Sequence, residues 1–441
     1  MSPIALLGVF LLFFIGLAMF CKVPVGYAIG SATLAVVMAA GMKSSTICTV
    51  AFSGLDSFPL LAVPLFIFAG AIMQHSGIAN ALVNLIQSIV GRLRGSLGAV
   101  TILTSAAFGI LTGSCMATIS CIGGIMIPEM KKKGYSDAYC SALAAASSFL
   151  GILIPPSVPG IMYGLCAGAS ISAVWLSTVG PAICCIILFM LINYFRQGRR
   201  EEKDLSKFVF SAYVSNVGKS FVYAIPALIM PVIIFGGIYG GIFTATEAGA
   251  AAVAYGILFY FVKRFMNVKN VDEKFLKMTV DAAIGTATIC ILIGFSNCSG
   301  RVISMIGIAE AIKSFVTTNI SSTFGFLVFA NILFLICGML IDINAAILLA
   351  VPLLLPTATA MGVDTIHFGA IILVNLSVGF ITPPFCSSVF MAQKLSGARY
   401  VEIIKEVIPF VIASLIVVVL TTYFPGLSTF IPNLAAAAAA G

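Results

Sequence analysis

The segment Gly151-Ile152-Leu153-Ile154-Pro155-Pro156-Ser157 returns in the second half of the chain as Gly379-Phe380-Ile381-Thr382-Pro383-Pro384-Phe385. Both copies lie inside long apolar runs, about 138–168 and 365–393. A proline lacks the backbone N–H and drives the preceding residue out of the α region. Two in succession stop a helix and leave carbonyls without intrahelical partners. Such backbone is tolerated at membrane depth only where protein or a cavity satisfies it. The sequence therefore predicts two broken helices whose freed carbonyls face something specific.

Working outward, Pro128 to Gly134 has the spacing of Pro356 to Gly362, and each pair stands equally far before its double proline. Further upstream, Ser76-Gly77-Ile78-Ala79 is echoed by Ile306-Gly307-Ile308-Ala309. Several landmarks at a nearly constant offset predict an internal duplication. Before each broken helix lies an apolar run too long for one span, 96–128 and 322–358. Each has a polar, Gly-containing centre: Leu111-Thr112-Gly113-Ser114 in the first, Gly338-Met339-Leu340-Ile341-Asp342-Ile343-Asn344 in the second. These read as re-entrant hairpins.

Of the 441 residues, 61% are hydrophobic and 9% charged, and the mean hydropathy is +1.15. A soluble domain is about 45–50% apolar and about 25% charged. Soluble enzyme, nucleic-acid binder and disordered chain are excluded. Further spans are predicted near 4–21, 24–41, 58–75, 173–195, 220–238, 242–262, 282–300 and 403–424. Ser76 to Arg94 and Ile306 to Val316 are amphipathic and read as helices lying along the membrane surface. The first segment has no basic residue before it and reads as a retained helix, not a signal peptide. The 12 cysteines include no C-x-x-C pair and only two histidines are present, so neither a transition-metal site nor a disulfide framework is expected. Without a Walker A motif the chain is not itself an ATP-driven motor.

If each hairpin enters and leaves on one side, each half crosses five times and the second copy is inverted. With the N-terminus outside, all of the 23 Lys and Arg except Lys43, Arg301 and Lys313 then fall inside, as the positive-inside rule requires. Treating the hairpin regions as single spans scrambles that pattern. Both termini are expected outside. The chain divides into a first repeat (1–195; hairpin about 96–131, broken helix about 137–168) and a cytoplasmic linker (196–218). A second, inverted repeat follows (219–434; hairpin about 322–360, broken helix about 364–396). An Ala-rich tail, 435–441, is left out of the fold.

Inverted repeats with interrupted helices are a signature of secondary transporters, with the site at the midplane. Each hairpin tip ends one half-helix, whose carbonyls suit a cation, and begins another, whose N–H groups suit an anion. Carbonyl oxygens are hard ligands fit for Na⁺, and Thr382 adds a hydroxyl. An ionised Asp at a helix centre costs about 2.5–3.5 kcal/mol on insertion scales. Asp342 therefore reads either as a group attracting a cation or as the cap of the second half-helix. Ser114, Ser157, Asp342 and Asn344 are the candidate substrate contacts. Glu247, three residues after Thr244, reads as a capping box.

Residues 113–114, 127–131, 134–135, 145–148 and 154–157 resemble the large membrane subunit of TRAP transporters, the DctM type that includes sialic-acid members. So do Phe243-Thr244-Ala245-Thr246-Glu247-Ala248, the stretch from Asn375 through Pro384, and Tyr423-Phe424-Pro425. The likeness runs from about 5 to 434. It implies an all-α polytopic fold of the ion-transporter elevator type in the bacterial inner membrane. It also implies two partners, a small four-helix membrane subunit and a secreted binding protein. The implied activity is import of organic anions such as sialic acid or C4-dicarboxylates, with Na⁺ as coupling ion and no other cofactor. One implied Na⁺ site joins Gly109, Thr112 and Gly113 to Gly151, Ile154 and Pro156. The other joins Gly338 to Gly379, Thr382 and Phe385. Many relatives have Gly-Ser-Ser where this chain has Gly113-Ser114-Cys115, which puts a hydroxyl contact of the second Ser in question. The rival readings are a stand-alone Na⁺-coupled dicarboxylate carrier and a channel or structural membrane subunit.

The hairpin topology predicts that single cysteines replacing Lys132 and Lys313 are labelled by an impermeant thiol reagent from opposite membrane faces. Labelling from one face contradicts it.

Overall fold

A computed structural model describes residues 2–43, 45–198, 210–265, 275–319, 322–383 and 386–440. Within these residues the chain is helical throughout, with no strand. Eight helices are long and apolar enough to cross a membrane by length and composition. This is an all-α, multi-span membrane protein.

The helices fall into two packed groups. In one, Val25–Ala39 and Ser45–Leu55 lie on Phe275–Met305, while Ala62–His75 lies on Ala245–Phe265 and Phe275–Met305. Phe210–Tyr239 joins this group through Ala245–Phe265 and Ile78–Val90. In the other, Ser96–Thr112 packs on Asp137–Ser148, which also carries Ser387–Ser396 and Tyr400–Tyr423. Thr323–Leu340 and Ile343–Ala360 both pack on Thr365–Gly379. Lys131, near the end of the first hairpin region, donates to the Ser396 carbonyl at 2.6 Å, which joins the two halves of the sequence. The groups meet where Ile78–Val90 and Ala62–His75 touch Ser96–Thr112 and where Phe275–Met305 touches Ile343–Ala360.

The breaks fall where the prolines put them. Asp137–Leu153 and Val158–Ala167 are bent by 42° across residues 154–157. Ile154 is extended, with φ −85° and ψ 123°. In the second copy the helix ends at Gly379 and resumes at Ser387; Pro384 and Phe385 lie outside the described residues. The amphipathic stretches form Ile78–Val90 and Ile308–Asn319. The capping box forms as read: Thr244 N–H and hydroxyl donate to the Glu247 carboxylate at 2.7 and 2.9 Å.

Some helices and boundaries differ from those expected. Ser45–Leu55 is a helix that hydropathy passed over, because its Ser, Thr and Cys residues dilute the apolar signal. Phe210–Tyr239 begins inside the expected linker, so residues 210–218 are helical; residues 199–209 lie outside the described residues. Gly426–Ala440 runs on as helix into the Ala-rich tail, as alanine's high propensity favours, with the tail's described side chains largely exposed. The arms of the second hairpin region, Thr323–Leu340 and Ile343–Ala360, are each 18 residues and individually long enough to span.

Each hairpin tip touches its broken helix backbone to backbone. Gly109 lies against Gly151, and Gly338 against Gly379. A methyl on Gly338 would come within 2.8 Å of the Leu376 carbonyl oxygen and 3.3 Å of Gly379 Cα. Overpacking of this kind costs about 1–3 kcal/mol. Gly124, at the start of Gly124–Lys132 in the first hairpin region, has nothing within 4 Å of such a methyl. Gly338→Ala is expected to lower the thermal midpoint of the purified protein and Gly124→Ala to leave or raise it. Equal midpoints for the two variants contradict this packing.

Candidate functional site

The first tip is set by Gly113. It ends Ser96–Thr112 in the left-handed region, φ 57°, and its N–H donates to the Gly109 carbonyl at 2.7 Å. A side chain there would strain the turn and meet the Pro156 carbonyl. Ser114 then caps the next helical turn, its hydroxyl accepting from Ala117 N–H at 3.4 Å. The second tip uses no left-handed residue. Ile341 and Asp342 are extended, and Asp342 accepts from Asn344 N–H at 2.9 Å as the cap of Ile343–Ala360.

The first implied cation site is gathered. Gly109 and Gly113 abut Gly151 and Pro156, and Thr112 is buried with its hydroxyl on the Phe108 carbonyl. Within the break, Thr178 donates to the Leu153 carbonyl at 2.6 Å and Trp175 Nε1 to the Ser157 carbonyl at 3.0 Å. The Ile154, Pro155 and Pro156 carbonyls accept no hydrogen bond among the described residues. The second site brings Gly338 to Gly379 and leaves Thr382 buried. The Thr382 hydroxyl donates to the Val378 carbonyl at 2.7 Å, which leaves its lone pairs for a cation. Phe385 lies outside the described residues.

A cavity of about 360 Å³ brings the two tips together across the boundary between the helix groups. Ser114, Asp342 and Asn344 line it; Ser157 does not. Ser157 instead caps Val158–Ala167 through Gly160 N–H at 3.3 Å, and is nearly fully buried. Asn344 Oδ1 is buried and accepts no hydrogen bond. Cys115 Sγ lies 3.0 Å from Ser148 Oγ and 3.1 Å from Ser388 Oγ. This side chain thus ties the tip to both broken helices at the edge of the cavity.

The opposite wall comes from Ala62–His75 and Phe275–Met305 and carries Gln74, His75 and Asp281. Sequence reading missed these as site residues. Gln74 and His75 stand at the end of the span expected over 58–75, next to the amphipathic stretch. Asp281 falls just outside a span expected to begin at 282, whereas the helix begins at Phe275, about 10 Å earlier along its axis. The signal available was the lone carboxylate within an apolar run. His75 Nδ1 donates to the Ala71 carbonyl at 2.8 Å, so that nitrogen carries a proton. Gly70 lets this wall reach the first tip: a methyl there would come within 3.1 Å of the Thr112 carbonyl oxygen.

Residues 10–427 match the family described as the DctM component of tripartite ATP-independent periplasmic transporters. The isethionate TRAP transporter permease protein DctMQ of Oleidesulfovibrio alaskensis is 33% identical over 96% of this chain, which spans 65% of that relative's length. The sialic acid TRAP transporter large permease protein SiaM of Vibrio cholerae is 32% identical over 94% of this chain and 96% of its own. The fold is shared with the YdaH transporter of Alcanivorax borkumensis at a TM-score of 0.61, covering 86% of this chain and 88% of that one, with 14% identity. With a family match over nearly its whole length, the chain belongs to the DctM family of TRAP transporter large permeases, membrane transport subunits and not enzymes.

Proposed function

We propose that this chain is the permease of a Na⁺-coupled tripartite importer of organic anions, and that it works by an elevator motion. The observation that carries this reading is the duplicated meeting of a hairpin tip with a proline-broken helix, at Gly109–Gly151 and Gly338–Gly379. Unpaired carbonyls in an apolar surrounding want a hard cation, and helix beginnings beside them want a carboxylate. The two relatives named above differ in substrate, one taking isethionate and the other sialic acid, so this reading stops at the organic anion.

The two helix groups support the motion. The hairpin regions and broken helices pack as one body, and Ala62–His75 and Phe275–Met305 offer it a wall. Glycines at that boundary, such as Gly70 against Thr112 and Gly300 against Pro352, keep it smooth. The matched landmarks and the distribution of Lys and Arg favour two inverted repeats in the bacterial inner membrane, with both termini outside. The partners in this reading are a secreted binding protein and a small four-helix membrane subunit. The part of DctMQ that this chain leaves unmatched is room for such a subunit in fused form.

Thr382→Val removes the one side-chain oxygen assigned to the second cation site while keeping its volume. In proteoliposomes holding the permease with its partners, it is expected to raise the Na⁺ concentration for half-maximal uptake by about tenfold, roughly 1.4 kcal/mol. The thermal midpoint should fall little. Unchanged Na⁺ activation contradicts the second site.

A further inference from the structure

Resting on the reading of the cavity as the solute site, and replacing the general organic anion by a narrower class of carboxylate, we propose that its solute is a zwitterion. Such a molecule carries a protonated or quaternised nitrogen besides its carboxylate, and Asp281 is the specificity-determining residue that receives the nitrogen. The cavity lining contains two carboxylates, Asp281 and Asp342, and no Lys or Arg. A dicarboxylate would meet like charge from both walls with no guanidinium or ammonium to receive it.

The two carboxylates are not equivalent. Asp342 is engaged at the start of Ile343–Ala360, where it accepts from Asn344 N–H and lies at the positive end of an 18-residue helix. Asp281 makes no ion pair or hydrogen bond among the described residues and is exposed to the cavity from the opposite wall. The cation sites proposed above are built from tip and break backbone, so they leave Asp281 for the solute. Asn344 adds a buried carbonyl-type acceptor without a donor. Gln74, His75 and Ser114 supply neutral donors of the lining, His75 Nδ1 being engaged with the Ala71 carbonyl, so a cationic partner for Asp281 has to arrive with the solute. The cavity is thus bipolar: helix beginnings at the tips suit a carboxylate, and Asp281 on the facing wall suits a cationic nitrogen. Its volume, about 360 Å³, is at the small end for ligand sites, which fits a compact solute carrying both charges.

The test starts from the cognate binding protein, stripped of ligand and exposed to a metabolite extract of the source cells. The retained solute is identified by mass spectrometry, then used for uptake by the complete importer in proteoliposomes. A solute with a protonated or quaternised nitrogen is expected. Asp281→Asn should raise its KM about tenfold or more, and Asp281→Glu should restore it to within about threefold. A retained solute without such a nitrogen overturns the assignment, and so does an Asp281→Asn KM within twofold of wild type. Uptake indifferent to the Na⁺ gradient counts against the coupling reading alone, because solute charge and the KM comparison do not depend on it.

Discussion

Backbone pressed against backbone at Gly109–Gly151 and Gly338–Gly379 is the contact on which the rest of this structure depends. Only residues without a Cβ allow the tips to come so close to the broken helices. The closeness matters because both partners carry main-chain groups that helix geometry has released. In water such groups would be solvated; in an apolar surrounding each one left unpaired costs several kcal/mol. Nearby side chains answer part of that demand: Thr178 and Trp175 take two carbonyls of the first break. The Ile154, Pro155 and Pro156 carbonyls accept no hydrogen bond among the described residues. In the proposed reading that remainder is met by a small hard cation.

The elements that were legible in the sequence are those fixed by local stereochemistry. Proline cannot continue a helix in any environment, so both breaks were readable from Pro155-Pro156 and Pro383-Pro384 alone. The tips were readable because small and polar residues interrupt apolar runs, and the capping box because Thr244 and Glu247 have the required spacing. What escaped depends on tertiary packing or on exact boundaries. Ser45–Leu55 is too short and mixed to stand out by hydropathy. Asp281 was hidden by an assumed helix start that was seven residues late, 282 in place of Phe275. Nothing local to Ser157 distinguishes a cap from a ligand contact; both want an exposed hydroxyl at a helix beginning. The role of Cys115 could not be read at all, since Ser148 and Ser388 meet it from distant parts of the chain.

The sparse polar side chains at the site do two jobs. Ser114 and Asp342 each begin a helix as its cap and also border the cavity, whereas Ser157 caps its helix without lining it. Asn344 has a buried oxygen unsatisfied by the protein. In a chain with 9% charged residues, electrostatic selectivity rests on few positions. Placing Asp342 on one packed group and Asp281 on the other makes the cavity's charge pattern a property of how the two groups stand against each other. A sliding motion that separates the walls would dissolve the pattern and release the solute.

The proposed cation sites at the two glycine contacts are the centre of this account, and equilibrium binding of radioactive Na⁺ to the purified permease tests them most directly. Two ions per chain are expected, with Gly109→Ala and Gly338→Ala each abolishing one of them while the other remains. No saturable Na⁺ binding, or a stoichiometry unaltered in folded samples of both variants, would contradict it.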